Sequence, residues 1–254
     1  VSEGQGWALR FLGVGNAQAP ALGNSSAVIE RGGQPLLMID CGALAIDAYL
    51  RRYGAPPPAV FITHCHLDHV GGMEALFARA MFGPDKVTPR LFVPAALVAL
   101  LHARVADYPG VTAEGGSNFW DPFQLVPVTG GFWLDGCWFD VFPVRHGKPG
   151  SAFGVRLRAS LVFTGDTRPI PEVLAEQADD DELVAHDCDL NGNPAHSGID
   201  ELEREYPAAL RQRLLIYHYA DLAAAAAIAA RGFRLAEPGI AYPLRAPAEL
   251  RSAP

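Results

Sequence analysis

Short apolar runs recur along the chain, most of them ending on a polar residue and alternating with stretches of helical spacing. "WALRFLGVG", "SSAVIER" and "PLLMID" predict three strands, the last ending at Asp40-Cys41-Gly42 before a helix over 43–53. "PPPAVFIT" predicts a strand introduced by prolines, and helices follow over 73–81 and 94–107. In the second half "CWFDVFPV", "SAFGVRL" and "ASLVFTG" predict strands. "DELVAHD" and "RLLIYH" predict two more around a helix over 199–210, and "DLAAAAAIAARG" closes as a small-residue helix stopped by Gly232. The segment 111–136, rich in Gly, Pro, Trp and Phe, is the least regular and is expected as a loop over a site. Strands mixed with helices in both halves predict an α/β (α+β) fold, with sheets packed together and helices outside. Without a Ser-rich linker, repeat or heptad pattern, the expectation is a single domain over 1–254.

Composition narrows the chemistry. A chain of 254 residues buries a substantial core without staples, so a metal site here is expected to be catalytic rather than structural. With 28 acidic against 20 basic residues and a net charge of −8, the chain has no global attraction to nucleic acid or anionic membrane. An anionic substrate must be drawn by a local field. No apolar run reaches membrane-spanning length, and "VSEGQGWALR" carries neither a basic nor an apolar leader region, so the protein is expected in the cytoplasm and away from membranes. Cys41, Cys65, Cys137 and Cys188 lack C-x-x-C spacing and are expected to be reduced and mostly in the core.

The polar residues that end the apolar runs carry the chemistry. In "FITHCHLDHVGG", His64, His66, Asp68 and His69 crowd four ligand types into six positions released from a strand end, too many polar groups for packing. Imidazole with carboxylate is a ligand set for zinc, and also for iron or manganese. Alternate positions on an extended turn cannot all face one ion, so His64 and His66 are expected at one metal and Asp68 and His69 at a second. Further ligands must come from distant sequence. His146 after "CWFDVFPVR", Asp166 after "SLVFTG" and His218 after "RLLIY" each follow a β-rich run.

"THCHLDH" with a later His, a Gly-Asp and a final His resembles the metallo-β-lactamase superfamily over nearly the whole chain. The resemblance implies a four-layer αββα sandwich with a two-metal site at one edge. It implies that His64, His66 and His146 hold one zinc, that Asp68, His69 and His218 hold the other, and that Asp166 bridges. Within that superfamily "LRFLGVGNAQAPALGNSSAVI", "LLMIDCG" and "VFTGDTRP" resemble the RNase Z group, and "AHSGIDELE" is similar to its His-Ser-Thr segment with Gly198 in place of Thr. By that resemblance His196 is no metal ligand but lies beside the reacting phosphate. Read locally, Ser197 and Asp200 fit a helix capping box, which is compatible with that role. The chain also departs from the group. Only 19 residues, 147–165, separate His146 from Asp166, leaving no room for the arm by which bacterial tRNA 3′-processing enzymes grip their substrate. No run of Lys and Arg replaces it, and "YHYADL" stands where a Phe-Ser-x-Arg-Tyr segment is expected. The smaller phosphodiesterases of this branch, acting on cyclic or nucleotide-sized diesters, are the nearer likeness, and tRNA is disfavoured as a partner.

The expected mechanism follows from charge. Two divalent cations, zinc with manganese or iron as alternatives, less two carboxylates leave a site of about +2, which lowers the pKa of a bridging water from about 15.7 towards 7. The resulting hydroxide attacks a small phosphodiester, Asp68 orients it, and His196 stabilises developing charge or protonates the leaving oxygen. His102 and His186 are expected to be structural, with the His186-Asp187 pair as an alternative support behind the ligands. Arg168 is expected to orient Asp166 or a neighbouring loop. Phe119, Trp120, Phe123, Phe132 and Trp133 are expected in the core, with stacking on a base or aryl group as the alternative. Rival functions are a thioesterase or lactonase of the same fold, an RNase Z-type ribonuclease, or a non-catalytic metal-binding module. A homodimer is left open.

Overall fold

Apolar side chains that alternate in the strand sequences divide between two cores. In the computed structural model, which describes residues 6–85, 87–106 and 116–248, the strands are β1 (Trp7–Gly13), β2 (Ser26–Arg31), β3 (Gln34–Ile39), β4 (Ala59–Phe61), β5 (Arg90–Pro94), β6 (Gln124–Val128), β7 (Gly131–Leu134), β8 (Cys137–Pro143), β9 (Phe153–Leu157), β10 (Leu161–Phe163), β11 (Leu183–Asp187), β12 (Leu214–Tyr217), β13 (Arg234–Leu235) and β14 (Ala241–Leu244). They form two sheets, ordered β14-β1-β2-β3-β4-β5-β6 and β13-β12-β11-β10-β9-β8-β7. On the inner face of the first sheet Leu9, Phe11, Ile29, Leu37, Phe61 and Phe92 join Phe139, Val155, Phe163 and Ile216 of the second in one buried cluster. On its outer face Val28, Met38, Val60 and Leu91 pack on Ile46 and Tyr49 of the helix Ala45–Tyr53 and on Met73, Leu76 and Phe77 of the helix Met73–Phe82. The middle strands are therefore buried on both faces, which is why their sequences read as continuous apolar runs. The result is the four-layer αββα sandwich. All four cysteines are free and buried, and no helix of the described residues is long and apolar enough to cross a membrane.

The pairing direction places the site. From β3 to β6 and from β10 to β13 the strands pair in parallel, so their carboxyl ends gather at one edge of the sandwich, where open α/β sheets bind ligands. Asp40 follows β3, His64 to His69 follow β4, Asp166 follows β10, Asp187 ends β11 and His218 follows β12.

Three expected elements differ. In its described part, 116–136, the segment expected as a loop over the site carries strands. Residues 111–115 lie outside the described residues, while 124–134 contains β6 and β7, the adjoining edges of the two sheets. Pro127 is tolerated because β6 is an edge strand. Phe119 and Phe123 pack among the outer helices, and Phe132 stacks between Phe92 at 4.1 Å and Phe139 at 5.0 Å. The aromatic cluster is thus core, apart from Trp133, which is exposed beside Trp138. The expected helix 94–107 is a 3-10 turn, a short α-helix and a π-turn in succession up to Ala106, with residue 107 outside the described residues. The expected helix 199–210 is two helices, Ile199–Glu205 and Ala208–Arg211, because Pro207 holds the preceding Tyr206 in extended backbone.

Candidate metal centre

The turn after β4 is held against the end of β3 by backbone hydrogen bonds, Cys41 N–H to His69 O at 2.7 Å and Gly72 N–H to Cys41 O at 2.9 Å. Gly42 permits the approach, since a Cβ there would stand 2.0 Å from Asp68 O. Each residue expected to bind metal reaches the same edge. His64, His66, His146 and Asp166 form one group whose donor atoms lie within 4.8 Å of one another, and Asp68, His69, Asp166 and His218 form a second. Asp166 belongs to both, and its Oδ2 stands 3.6 Å from His64 Nε2 and 3.2 Å from both His69 Nε2 and His218 Nε2. His66 Nδ1 lies 3.1 Å from His64 Nε2 and 3.0 Å from His146 Nε2. Donors around a tetrahedral zinc, each about 2.0–2.1 Å from it, stand about 3.3 Å apart, so both groups fit divalent ions.

A single carboxylate sets the tautomers of two of these histidines. His69 Nδ1–H donates to Asp40 Oδ2 at 2.8 Å, while His64 Nδ1–H donates to Thr63 Oγ1 at 3.1 Å, whose hydroxyl donates in turn to Asp40 Oδ2 at 2.7 Å. Both Nε2 atoms are thereby left facing the shared centre. His146 Nδ1–H donates to Ala195 O at 2.9 Å with the same effect. Asp40 and His218 adopt left-handed backbone, φ 61° and 73°, a cost non-glycine residues bear where the surroundings fix them. His218 N–H donates to Val14 O at 2.7 Å.

Several inward-facing atoms have no partner. His69 Nε2, His218 Nε2 and Asp166 Oδ1 are buried without a hydrogen bond. Burial opposes ionisation of Asp166, but His218 and His69 outweigh it and hold the carboxyl well below its usual range. Burial likewise opposes charge on His69 and His218, yet Asp166 carries both well above the ordinary imidazole value. Desolvation pushes His64 and His66 down. Asp68 lies low because contacts from His218 and His69 overcome its burial.

His196 stands beside this centre, its ring 4.8 Å from that of His146 and 4.7 Å from that of His218. Its Nδ1–H donates to Asp187 Oδ2 at 2.9 Å, which leaves Nε2 free. The loop bearing it is fixed from both sides. Asn193 Oδ1 accepts the N–H groups of Ala195 and His196, and Asp189 pairs with Gly198 in an isolated bridge. Gly198 stands where the resembling group has Thr because a Cβ there would lie 2.2 Å from Gly192 N. The expected capping box is displaced by one residue: Gly198 is the N-cap, its N–H donates to Glu201, and Ser197 Oγ donates to Thr167 O instead. Arg168 pairs with Glu201 rather than with Asp166. Of the His186-Asp187 pair only Asp187 supports the site, since His186 bonds Tyr206 Oη and the Asp187 carbonyl. His102 accepts from Trp120 Nε1.

In front of the donors opens a cavity of about 290 Å³, whose lining includes His66, Asp68, Asp166, His196 and His218 together with Asn16, Gln18, Asp189 and Asn193. Asp40, Asn16 and Asp189 were not expected from the sequence. Only the polar ending of "PLLMID" signalled Asp40, and nothing local signalled the other two.

A family model described as "Anti-Pycsar protein Apyc1" matches residues 7–242. The chain is 30% identical over 221 residues to an anti-Pycsar protein Apyc1 from Saccharibacillus brassicae, covering 84% of this chain and 90% of the relative. Its structure is similar to that of the metallo-β-lactamase fold protein YhfI from Bacillus subtilis, with a TM-score of 0.72 at 15% identity over 94% of this chain and 100% of the other. It is also similar to the short form of human tRNase Z, with a TM-score of 0.64 at 17% identity over 92% and 98%. The structural likenesses agree with the metallo-β-lactamase fold that the motifs implied.

Proposed function

Because the chain belongs to the anti-Pycsar protein Apyc1 family, we propose that it is a metal-dependent phosphodiesterase that hydrolyses a small cyclic phosphodiester, a cyclic nucleotide being the substrate class that fits best. The observation that carries this reading is the pair of donor groups sharing Asp166, with buried His69, His218 and Asp166 atoms that lack hydrogen bonds, at the base of a cavity of nucleotide size lined by Asp166 and His218. His64, His66 and His146 would hold one divalent ion, Asp68, His69 and His218 the other, and Asp166 both; zinc suits this donor set. Bound ions would supply Lewis acidity towards the phosphoryl oxygens and a nucleophile at neutral pH.

The chain's own residues do the rest. Asp68, at the cavity wall, orients the attacking oxygen by accepting its proton in a hydrogen bond. His196, steadied through Nδ1 by Asp187, presents Nε2 to the leaving oxygen. Burial works against its protonation, but the Asp187 hydrogen bond and charge outweigh it and raise its pKa, which favours the acid form needed to give a proton. The segment between His146 and Asp166 is filled by β9 and β10, and a net charge of −8 gives no grip on a long polyanion, which supports a small substrate over tRNA. The same reading takes the chain as one hydrolase domain.

A hydrolysis panel on metal-loaded protein tests this function. Cyclic nucleotides and bis(4-nitrophenyl) phosphate should be cleaved, while a thioester, a lactone and a tRNA precursor should not. Turnover of the thioester or lactone alone, or efficient and salt-sensitive trimming of the precursor, would replace it with one of the rival activities.

A further inference from the structure

Part of the cavity wall beside the donor groups is polar, formed by Asn16, Gln18, Asp189 and Asn193. Asn16 Oδ1 accepts the Gln18 N–H at 2.9 Å, and Asn193 Oδ1 accepts those of Ala195 at 2.8 Å and His196 at 3.0 Å. Both acceptor sites of Asn193 Oδ1 are thereby filled, so that amide offers a ligand only its NH2 group, while Asn16 keeps one acceptor site beside its NH2. Beside them stands Asp189. Its Oδ1 accepts the Leu190 N–H at 2.7 Å, whereas its Oδ2 receives only a long contact from Asn16 Nδ2 at 3.4 Å. The wall therefore presents a carboxylate acceptor with amide donors around it.

A carboxylate on the wall of a cavity for an anionic ester repels the substrate's charge, and it is tolerated where the substrate brings a donor to it. The position of Asp189 says which donor. Its N–H donates to Ser197 O at 3.0 Å, so it lies across from the residue next to His196, close to where the phosphate reacts. In a cyclic nucleotide the ring fused to the phosphate is the sugar, and the base edge lies further out. We propose that Asp189, oriented by the Leu190 N–H, is a specificity-determining residue that accepts a hydrogen bond from the free sugar hydroxyl of a cyclic ribonucleotide. This rests on the phosphodiesterase reading above and names what that site selects.

In a 3′,5′-cyclic ribonucleotide the free sugar hydroxyl is the 2′-OH, so 3′,5′-cyclic AMP, its 2′-deoxy analogue and the sugar-free bis(4-nitrophenyl) phosphate form the test set. The wild-type protein should prefer the ribose over the deoxyribose compound by about 10- to 100-fold in kcat/KM, the range for a hydrogen bond to a charged group. In Asp189→Ala that ratio should collapse to within about threefold, whatever happens to the absolute rates. Equal wild-type rates on the two nucleotides, or a preference that survives in Asp189→Ala, overturns the assignment. The wild-type ratio needs no variant to fold. Cleavage of the nitrophenyl diester without ribose preference removes only the role of Asp189, whereas failure on all three compounds removes the phosphodiesterase reading itself.

Discussion

The parallel strands β10 and β11 carry a buried charged cluster at each end, and the two are built to opposite rules. At their amino ends Glu182, 1% exposed, accepts from Arg156 Nε at 3.0 Å on both oxygens, from Arg156 Nη2 at 2.8 Å, and from the N–H groups of Ala159 and Asp179. Arg156 also reaches Asp179, and this cluster leaves no buried side-chain atom without a partner. At the carboxyl ends His69 Nε2, His218 Nε2, Asp166 Oδ1 and Asp187 Oδ1 are all left over. An unmatched buried polar atom costs about 1–3 kcal/mol. The closed cluster fastens the start of the strands to the β9 turn and asks nothing of a ligand. The open cluster, equally buried, is complete only when something from outside meets it.

Opposite substitutions should separate the two ends. At the open end, Asp68→Ala should lower kcat on a small diester by at least about 10³-fold while far-UV circular dichroism stays native, since on the proposed reading it removes both a ligand and the group that orients the nucleophile. At the closed end, Glu182→Ala should leave bound metal unchanged but cost about 3–5 kcal/mol in urea unfolding, because Arg156 is then buried without its partner. A large loss of metal there would break the distinction.

His196→Ala sharpens it further. This variant should keep its metal, yet slow an unactivated or 2′,3′-cyclic diester by about 10²–10⁴-fold, with only a small defect on nitrophenyl diesters whose leaving group needs no proton. Equal losses on all substrates with lowered stability would make His196 a structural residue. A smaller effect is expected from pH. Burial disfavours charge on His69 and His218, but Asp166 raises both well above the ordinary imidazole range, so protons compete with metal already above that range and more strongly as pH falls. Calorimetric metal affinity should therefore fall as pH is lowered through that range. The mildest change is Gly198→Thr, which restores the residue of the resembling group against Gly192 N and should cost about 1–3 kcal/mol by overpacking, read from the thermal midpoint.

Much of the open end is legible in the sequence because its donors are local or terminal. His64, His66, Asp68 and His69 share one turn, and His146, Asp166 and His218 each follow an apolar run that a strand must bury. What lies behind them is less legible. Asp40 looks like any strand-ending acid until β3 and β4 pair and bring Thr63 and His69 to it. Asp187 could be noticed but not told from its neighbour His186, since strand alternation sends one towards Tyr206 and the other towards His196. Asn16 and Asp189 come from loops on different sheets, and no spacing in the chain relates them. The aromatic segment misleads for a compositional reason: Pro127 and Gly131 read as loop residues, yet they lie in strands at the adjoining sheet edges, and Gly131 is small because Trp138 packs where its Cβ would be.

The claim on which the rest depends is that two ions share Asp166. It is tested most directly by stripping the purified protein with a chelator, reloading it with zinc, and counting bound metal per chain in wild type and in Asp166→Ala. Two ions per wild-type chain and at least one fewer in the variant are the expected result. A variant that still binds two ions and still hydrolyses the diester, or a wild-type chain that saturates at one, would contradict the account.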